Sequence, residues 1–176
     1  MLDNLAEMVV PIPDKVIYCY GEYQSEFAKY PWIEFHEGLP KSAMFNFTST
    51  LLVLDDLMSE SNDLVANLFT KISHHRSVSV IYITQNVFHK NKHSRTISLN
   101  AHYMVLFKSP RDVGQIAVLG RQLYPEHGKF LIEAFKDATS SPHSYLLLDL
   151  RPETSEQFRV RSNIFPGDQQ TVYKPK

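Results

Sequence analysis

The chain has 176 residues, 43% of them hydrophobic and 21% charged, with a formal net charge of -1. These values describe one compact globular domain with a sizeable core, and they exclude a disordered chain. They also exclude a global basic field, so any contact with nucleic acid must come from a local patch or a narrow pore.

Met1 to Val10 reads as the tail of a helix, with Leu2, Leu5, Met8 and Val9 at helical spacing, stopped by Pro11 and Pro13. Lys15 to Tyr20 is a buried strand closed by Gly21, and Glu22 to Tyr30 forms a short helix before Pro31. Trp32 to Gly38 is a short edge strand and turn. Pro40 to Ser49 connects to Thr50-Leu51-Leu52-Val53-Leu54-Asp55-Asp56-Leu57-Met58-Ser59-Glu60. Its unbroken apolar run reads as a strand buried on both faces of a parallel sheet.

Leu64, Val65, Leu68, Phe69 and Ile72 mark one face of a helix running to about His75. Ser77 to Thr84 is the next buried strand and leads into Gln85-Asn86. A polar loop from His89 to Asn100 carries Lys90, Lys92, His93 and Arg95. Ala101 to Phe107 is a further strand, followed by Lys108 and Arg111. Helices at Val113–Leu123 and Lys129–Ala138 are split by Pro125 and Gly128. Ser144–Leu150 and Gln157–Ile164 form an antiparallel strand pair, and residues 168–176 are a polar tail. Strands alternating with helices predict a three-layer α/β fold with a mostly parallel sheet, carrying the terminal strand pair at one edge.

The single Cys19 excludes an internal disulfide framework and suits a reducing compartment. No apolar run approaches the roughly 20 residues of a membrane span, and no basic-then-apolar leader pattern opens the chain. The expectation is a soluble intracellular protein.

Asp55 and Asp56 fall at the carboxyl end of their strand, where open α/β sheets place ligands. Two adjacent anions raise each other's pKa, a cost that a bound divalent cation relieves. A Walker B strand has this pattern: the first acid holds Mg²⁺ and the second helps to activate the attacking water. A strand leading into an acidic helix start, capped by Asp56 or Ser59, accounts for the same residues.

Parallel neighbours would line up three strand ends along one rim: Asp55–Asp56, then Thr84–Asn86, then Lys108 and Arg111. A neutral amide such as Gln85 can orient a water or sense a γ-phosphate there, or can simply bond the start of a loop. Lys108 and Arg111 are the candidate nucleotide-binding cations and, with the Lys90–Arg95 loop, candidates for contact with backbone phosphates. Arg76 stands where a charge could reach a neighbouring subunit in trans, and it equally suits a helix C-terminus. His89 and His93 are four apart, but no cysteine or carboxylate completes a zinc set with them.

Several blocks together carry a resemblance. They are Val16–Glu22, Leu51–Glu60, Ser73–Arg76, Val80–Asn86, Ser98–Tyr103 and Leu106–Asp112. Over about residues 2–167 the chain resembles the FtsK–HerA type genome-packaging ATPases of Polinton-like elements and adintoviruses. The resemblance implies a RecA-like core, Mg²⁺ and ATP as cofactors, and a homo-oligomeric ring that threads double-stranded DNA into a capsid, in a host nucleus or cytoplasm or associated with virions. It implies Asp55 as the Mg²⁺ ligand, Asp56 as the catalytic carboxylate, Gln85 as the sensor and Arg76 as the trans-acting arginine. Many relatives carry Glu at the second acidic position, where this chain has the shorter Asp56, and Glu60 is the fallback base.

The six glycines include no Gly-x-x-x-x-Gly-Lys-Ser/Thr loop, whose backbone amides and lysine cradle phosphates. In the family that loop precedes the helix whose tail Met1–Val10 resembles, so the chain is expected to be truncated on its N-terminal side. Neither cofactor is then expected to bind tightly, and ATP hydrolysis should be negligible. The strand before that loop is central in the family's sheet, so without it the Gln85 strand and Ala101–Phe107 are expected to pair directly. Two other functions fit the same residues. One is a non-catalytic interaction module or domesticated copy that assembles with intact relatives; the other is a metal-dependent nuclease using Asp55, Asp56 and His93.

Overall fold

A computed structural model describes residues 2–41, 44, 49–57, 63–73, 77–85, 92–111 and 113–176. The protein is α/β, with one four-stranded parallel sheet and one four-stranded antiparallel sheet. Its residues gather into two compact units, one of residues 5–100 and one of residues 1–4 with 101–176. No helix among the described residues is long and apolar enough to cross a membrane.

In the first unit, α1 (Leu5–Met8) precedes β1 (Lys15–Tyr20), a 3₁₀ turn at Ser25–Lys29 and β2 (Glu34–Glu37). Next come β3 (Thr50–Asp55) and α2 (Asp63–Asn67), which continues as a π-helical turn over Leu68–Ile72. The unit ends with β4 (Val78–Ile83) and α3 (Lys92–Asn100). The order is β2-β1-β3-β4, with every neighbouring pair parallel. The inner strands β1 and β3 are apolar on both faces, as a strand covered on both sides requires. Ile17, Cys19, Leu52 and Leu54 share one face and pack with Leu57, Val65, Leu68 and Ile97, so α2 and α3 close that side of the core. On the opposite face Tyr18, Phe27 and Phe35 form an aromatic cluster in which Phe27 stacks on Phe35 at 4.4 Å.

In the second unit β5 (Tyr103–Phe107) is followed by α4 (Val113–Leu123), a 3₁₀ turn at Pro125–His127 and α5 (Phe130–Ala138). The chain then forms β6 (Tyr145–Asp149), β7 (Val160–Ser162) and β8 (Thr171–Tyr173). The antiparallel order is β5-β6-β7-β8. Asp149, fully buried at the end of β6, organises the loop that follows. Its carboxylate accepts from Nε and Nη2 of Arg151 at 3.0 Å each, from Oγ1 of Thr154 at 2.9 Å and from Nη2 of Arg161 at 2.9 Å. Burial alone would raise its pKa. The hydrogen bonds from Arg151 and then Thr154 reverse that and hold the carboxyl below its ordinary value.

The structure changes several expectations. The strand expected at 101–107 does not extend the parallel sheet: β5 pairs antiparallel with β6. Nor does it pair with the Gln85 strand, since β4 and β5 are end strands of different sheets. The β6–β7 pair is antiparallel as expected, but it forms the middle of its own sheet rather than an appendage. Much of the expected polar loop is helix α3, and residues 171–173 of the expected tail pair with β7 as β8.

Candidate functional site

Chain order against spatial order fixes where a ligand site can form in the parallel sheet. From β1 the chain steps to β2 on one side, then crosses to β3 on the other. The order in which the chain connects the strands therefore reverses between β1 and β3. Crevices outside the carboxyl ends of the strands at such a switch point are where open α/β sheets bind ligands. The residues delivered there are Tyr20 and Gly21 from β1, and Asp55 and Asp56 from β3.

Register brings the two acids into different surroundings. Tyr20 lies opposite Asp55, and Tyr18 lies opposite Val53, so Tyr18 and Asp55 occupy one face two positions apart. The Tyr18 hydroxyl donates to Oδ2 of Asp55 at 2.7 Å. Burial, then the hydrogen bond to Asp55 and then its charge push the Tyr18 phenol above its ordinary range. Asp56, one residue beyond the sheet, is exposed and left-handed at φ 53°. That conformation is uncommon for a side chain other than Asn or Asp, and it turns the chain sharply before Leu57 anchors it in the core. A Cβ on Gly21 would lie 3.3 Å from the Asp56 carbonyl oxygen, so a side chain there would press the turn after β3 slightly away from β1.

β4 supplies the third group. Asp55 is opposite Ile83, and Gln85 follows two residues later. Nε2 of Gln85 donates to Oδ1 of Asp56 at 3.4 Å, a long bond between exposed groups. Asp55, Asp56 and Gln85 thus meet on one rim, as expected from parallel neighbours. Lys108 and Arg111 do not join that rim through sheet pairing: both are exposed and follow β5 in the other unit. The reason is that β5 entered an antiparallel sheet. Arg76, Glu60 and His89 lie outside the described residues. His93, on α3, places Nδ1 3.7 Å from Oδ1 of Asp63 and so links α3 to α2.

Two carboxylates at a strand end suit Mg²⁺ by donor type, because that ion takes one or two carboxylates and fills its remaining positions with water and phosphate. One oxygen of Asp55 is already engaged by Tyr18. Among the described residues no group of three His, Cys, Asp or Glu side chains is placed to hold a metal ion, and His89 of the zinc reading lies outside them. The Tyr18 contact was absent from the sequence reading. Its only signal is the same-face offset of β1 and β3, which exists once their register is known. No protein-family model matches the sequence, no curated protein matches it, and no solved structure matches it.

Proposed function

We propose that this chain carries the metal and sensor side of an FtsK–HerA type packaging ATPase and contains no phosphate cradle of its own. The observation that carries the reading is the parallel pairing of β3 with β4, which sets Gln85 beside Asp55–Asp56, the pair of acids that borders the sheet's switch point. In this reading Asp55 holds Mg²⁺ through its free carboxylate oxygen, Asp56 takes the proton of an attacking water, and Gln85 orients that water. Bound Mg²⁺ would neutralise charge developing on the nucleotide phosphates. Arg76 is assigned to phosphate from the resemblance, and Lys108 and Arg111 from their place after a strand in the sequence. Double-stranded DNA and capsid components are the proposed partners, reached through a ring.

The test is a chimaera. The phosphate-loop strand and first helix of an intact packaging ATPase are joined ahead of Leu2, and Mg²⁺-dependent ATP hydrolysis is measured. The chain alone should show no turnover above buffer, and the chimaera should hydrolyse ATP in a manner lost in Asp56→Asn. Turnover by the unmodified chain, or a well-folded chimaera indifferent to Asp56→Asn, would overturn the proposal.

A non-catalytic interaction module is the second reading, and the edge of the parallel sheet favours it. The end strand β4, Val-Ser-Val-Ile-Tyr-Ile, carries no charge and no proline to discourage an added strand. Stable co-elution with an intact relative in the absence of nucleotide would select this reading over the first.

A further inference from the structure

We infer that Tyr18 is a positioning residue for Asp55, fixing which carboxylate oxygen is presented to a divalent cation; this rests on the metal role proposed for Asp55. The phenol is held in place before any ligand arrives. Its ring lies 5.4 Å from Phe27 and 5.5 Å from Phe35, both tilted, and those two rings are stacked on each other. From that fixed ring the hydroxyl reaches along the sheet face to Oδ2 of Asp55 at 2.7 Å, a short bond of the kind made to an ionised acceptor.

The consequence is a carboxylate that cannot rotate freely. Oδ2 is engaged by Tyr18 of β1, and in this proposal Oδ1 is the oxygen presented to the cation. Outer partners of this kind orient metal-binding side chains, and removing them typically weakens metal binding about 10- to 100-fold. Tyr18 itself touches neither cation nor substrate in this arrangement. A phenylalanine there would fill the same aromatic cluster and leave Asp55 unpinned.

Mn²⁺ serves as the probe, with free ion measured by its electron paramagnetic resonance signal during titration of the full chain. Asp55→Asn should reduce binding to background. Tyr18→Phe should raise the Kd about tenfold, and it should have no further effect in the Asp55→Asn background. Phe27→Leu removes one of the two rings against Tyr18 and leaves Phe35 and the hydroxyl in place, so its Kd should rise by clearly less than the roughly tenfold of Tyr18→Phe. A Tyr18→Phe Kd equal to native, with Asp55→Asn still losing Mn²⁺, overturns the positioning role and leaves the metal reading intact. Equal weakening by Phe27→Leu also overturns it, because packing and not the hydroxyl would then be responsible. Mn²⁺ binding that stays absent even at ion concentrations where a weak site fills, or that is unchanged by Asp55→Asn, overturns both.

Discussion

Gln85 and Asp56 meet across the seam between two parallel strands, with Nε2 of Gln85 donating to Oδ1 of Asp56 over 3.4 Å. At that length, with both groups exposed, the bond exchanges readily with water and adds little to folding. Gln85→Ala should therefore change the unfolding free energy by less than about 0.5 kcal/mol in urea titration. A loss several times larger would mean that Gln85 supports the sheet edge, and its placement beside Asp56 would then have a structural explanation.

The left-handed turn at Asp56 makes an unusual prediction about substitution order. Alanine at ordinary positions is more stable than glycine, because glycine loses more backbone freedom on folding. At φ 53° a Cβ is penalised by about 1 kcal/mol, so the order should invert. Asp56→Gly should unfold at a higher urea concentration than Asp56→Ala, by a margin of about 1 kcal/mol. Neither variant keeps the carboxylate. Equal stability of the two would mean that the turn relaxes to negative φ, and a strained Asp56 poised at the rim would no longer hold.

Cys19 is sealed in the middle of β1, with none of its surface exposed. Burial, and then the charge of Glu34, push its thiol up to about 12. The thiolate is the reactive form, so native protein near neutral pH should react with a disulfide reagent only as fast as β1 opens. Ellman's reagent should give a slow phase that accelerates through the urea transition. Immediate stoichiometric labelling of native protein would contradict the buried placement.

The parts of the fold legible in the sequence are those set by local pattern. The run Thr50–Asp55 is a strand at the residues where its apolar stretch ends, and Pro125 with Gly128 separates α4 from α5. The rim formed by Asp55, Asp56 and Gln85 was legible because a helical segment separates the two strands that deliver it, the alternation that pairs strands in parallel. β5 was misplaced because Tyr-Met-Val-Leu-Phe shows no alternation, although Tyr103, Val105 and Phe107 are exposed and Met104 and Leu106 buried. A uniformly apolar strand does not state which neighbour it will take. α3 was hidden because Ile97 is its buried apolar anchor, too little for a helical stripe. Packing against α2 and the bond from Nδ2 of Asn100 to the Thr96 carbonyl at 2.8 Å support it instead.

Asp149 should dominate the acid stability of the second unit. Its carboxyl is held below the ordinary aspartate value by Arg151 and Thr154 despite its burial. A depressed folded-state pKa means that the unfolded chain takes up the proton first. The stabilisation is therefore complete above the unfolded value of about 3.9 and is lost as pH falls through the lower folded value. Asp149→Asn leaves Arg161, whose Nη2 bonds the carboxylate at 2.9 Å, without its anion. The amide keeps one oxygen for Thr154 but sets an NH2 donor against Nη2 of Arg151 and of Arg161. The partly solvated arginines keep the cost near the lower end of the range for a broken buried pair, about 3 kcal/mol near neutral pH. Urea unfolding of native and Asp149→Asn protein across pH 2 to 7 (roughly spanning the carboxylate titration range) should show a gap that begins to narrow below about pH 4 and closes only below the lower folded value. A gap that stays constant to the acid end would mean that Asp149 stabilises through shape alone, with no contribution from its charge.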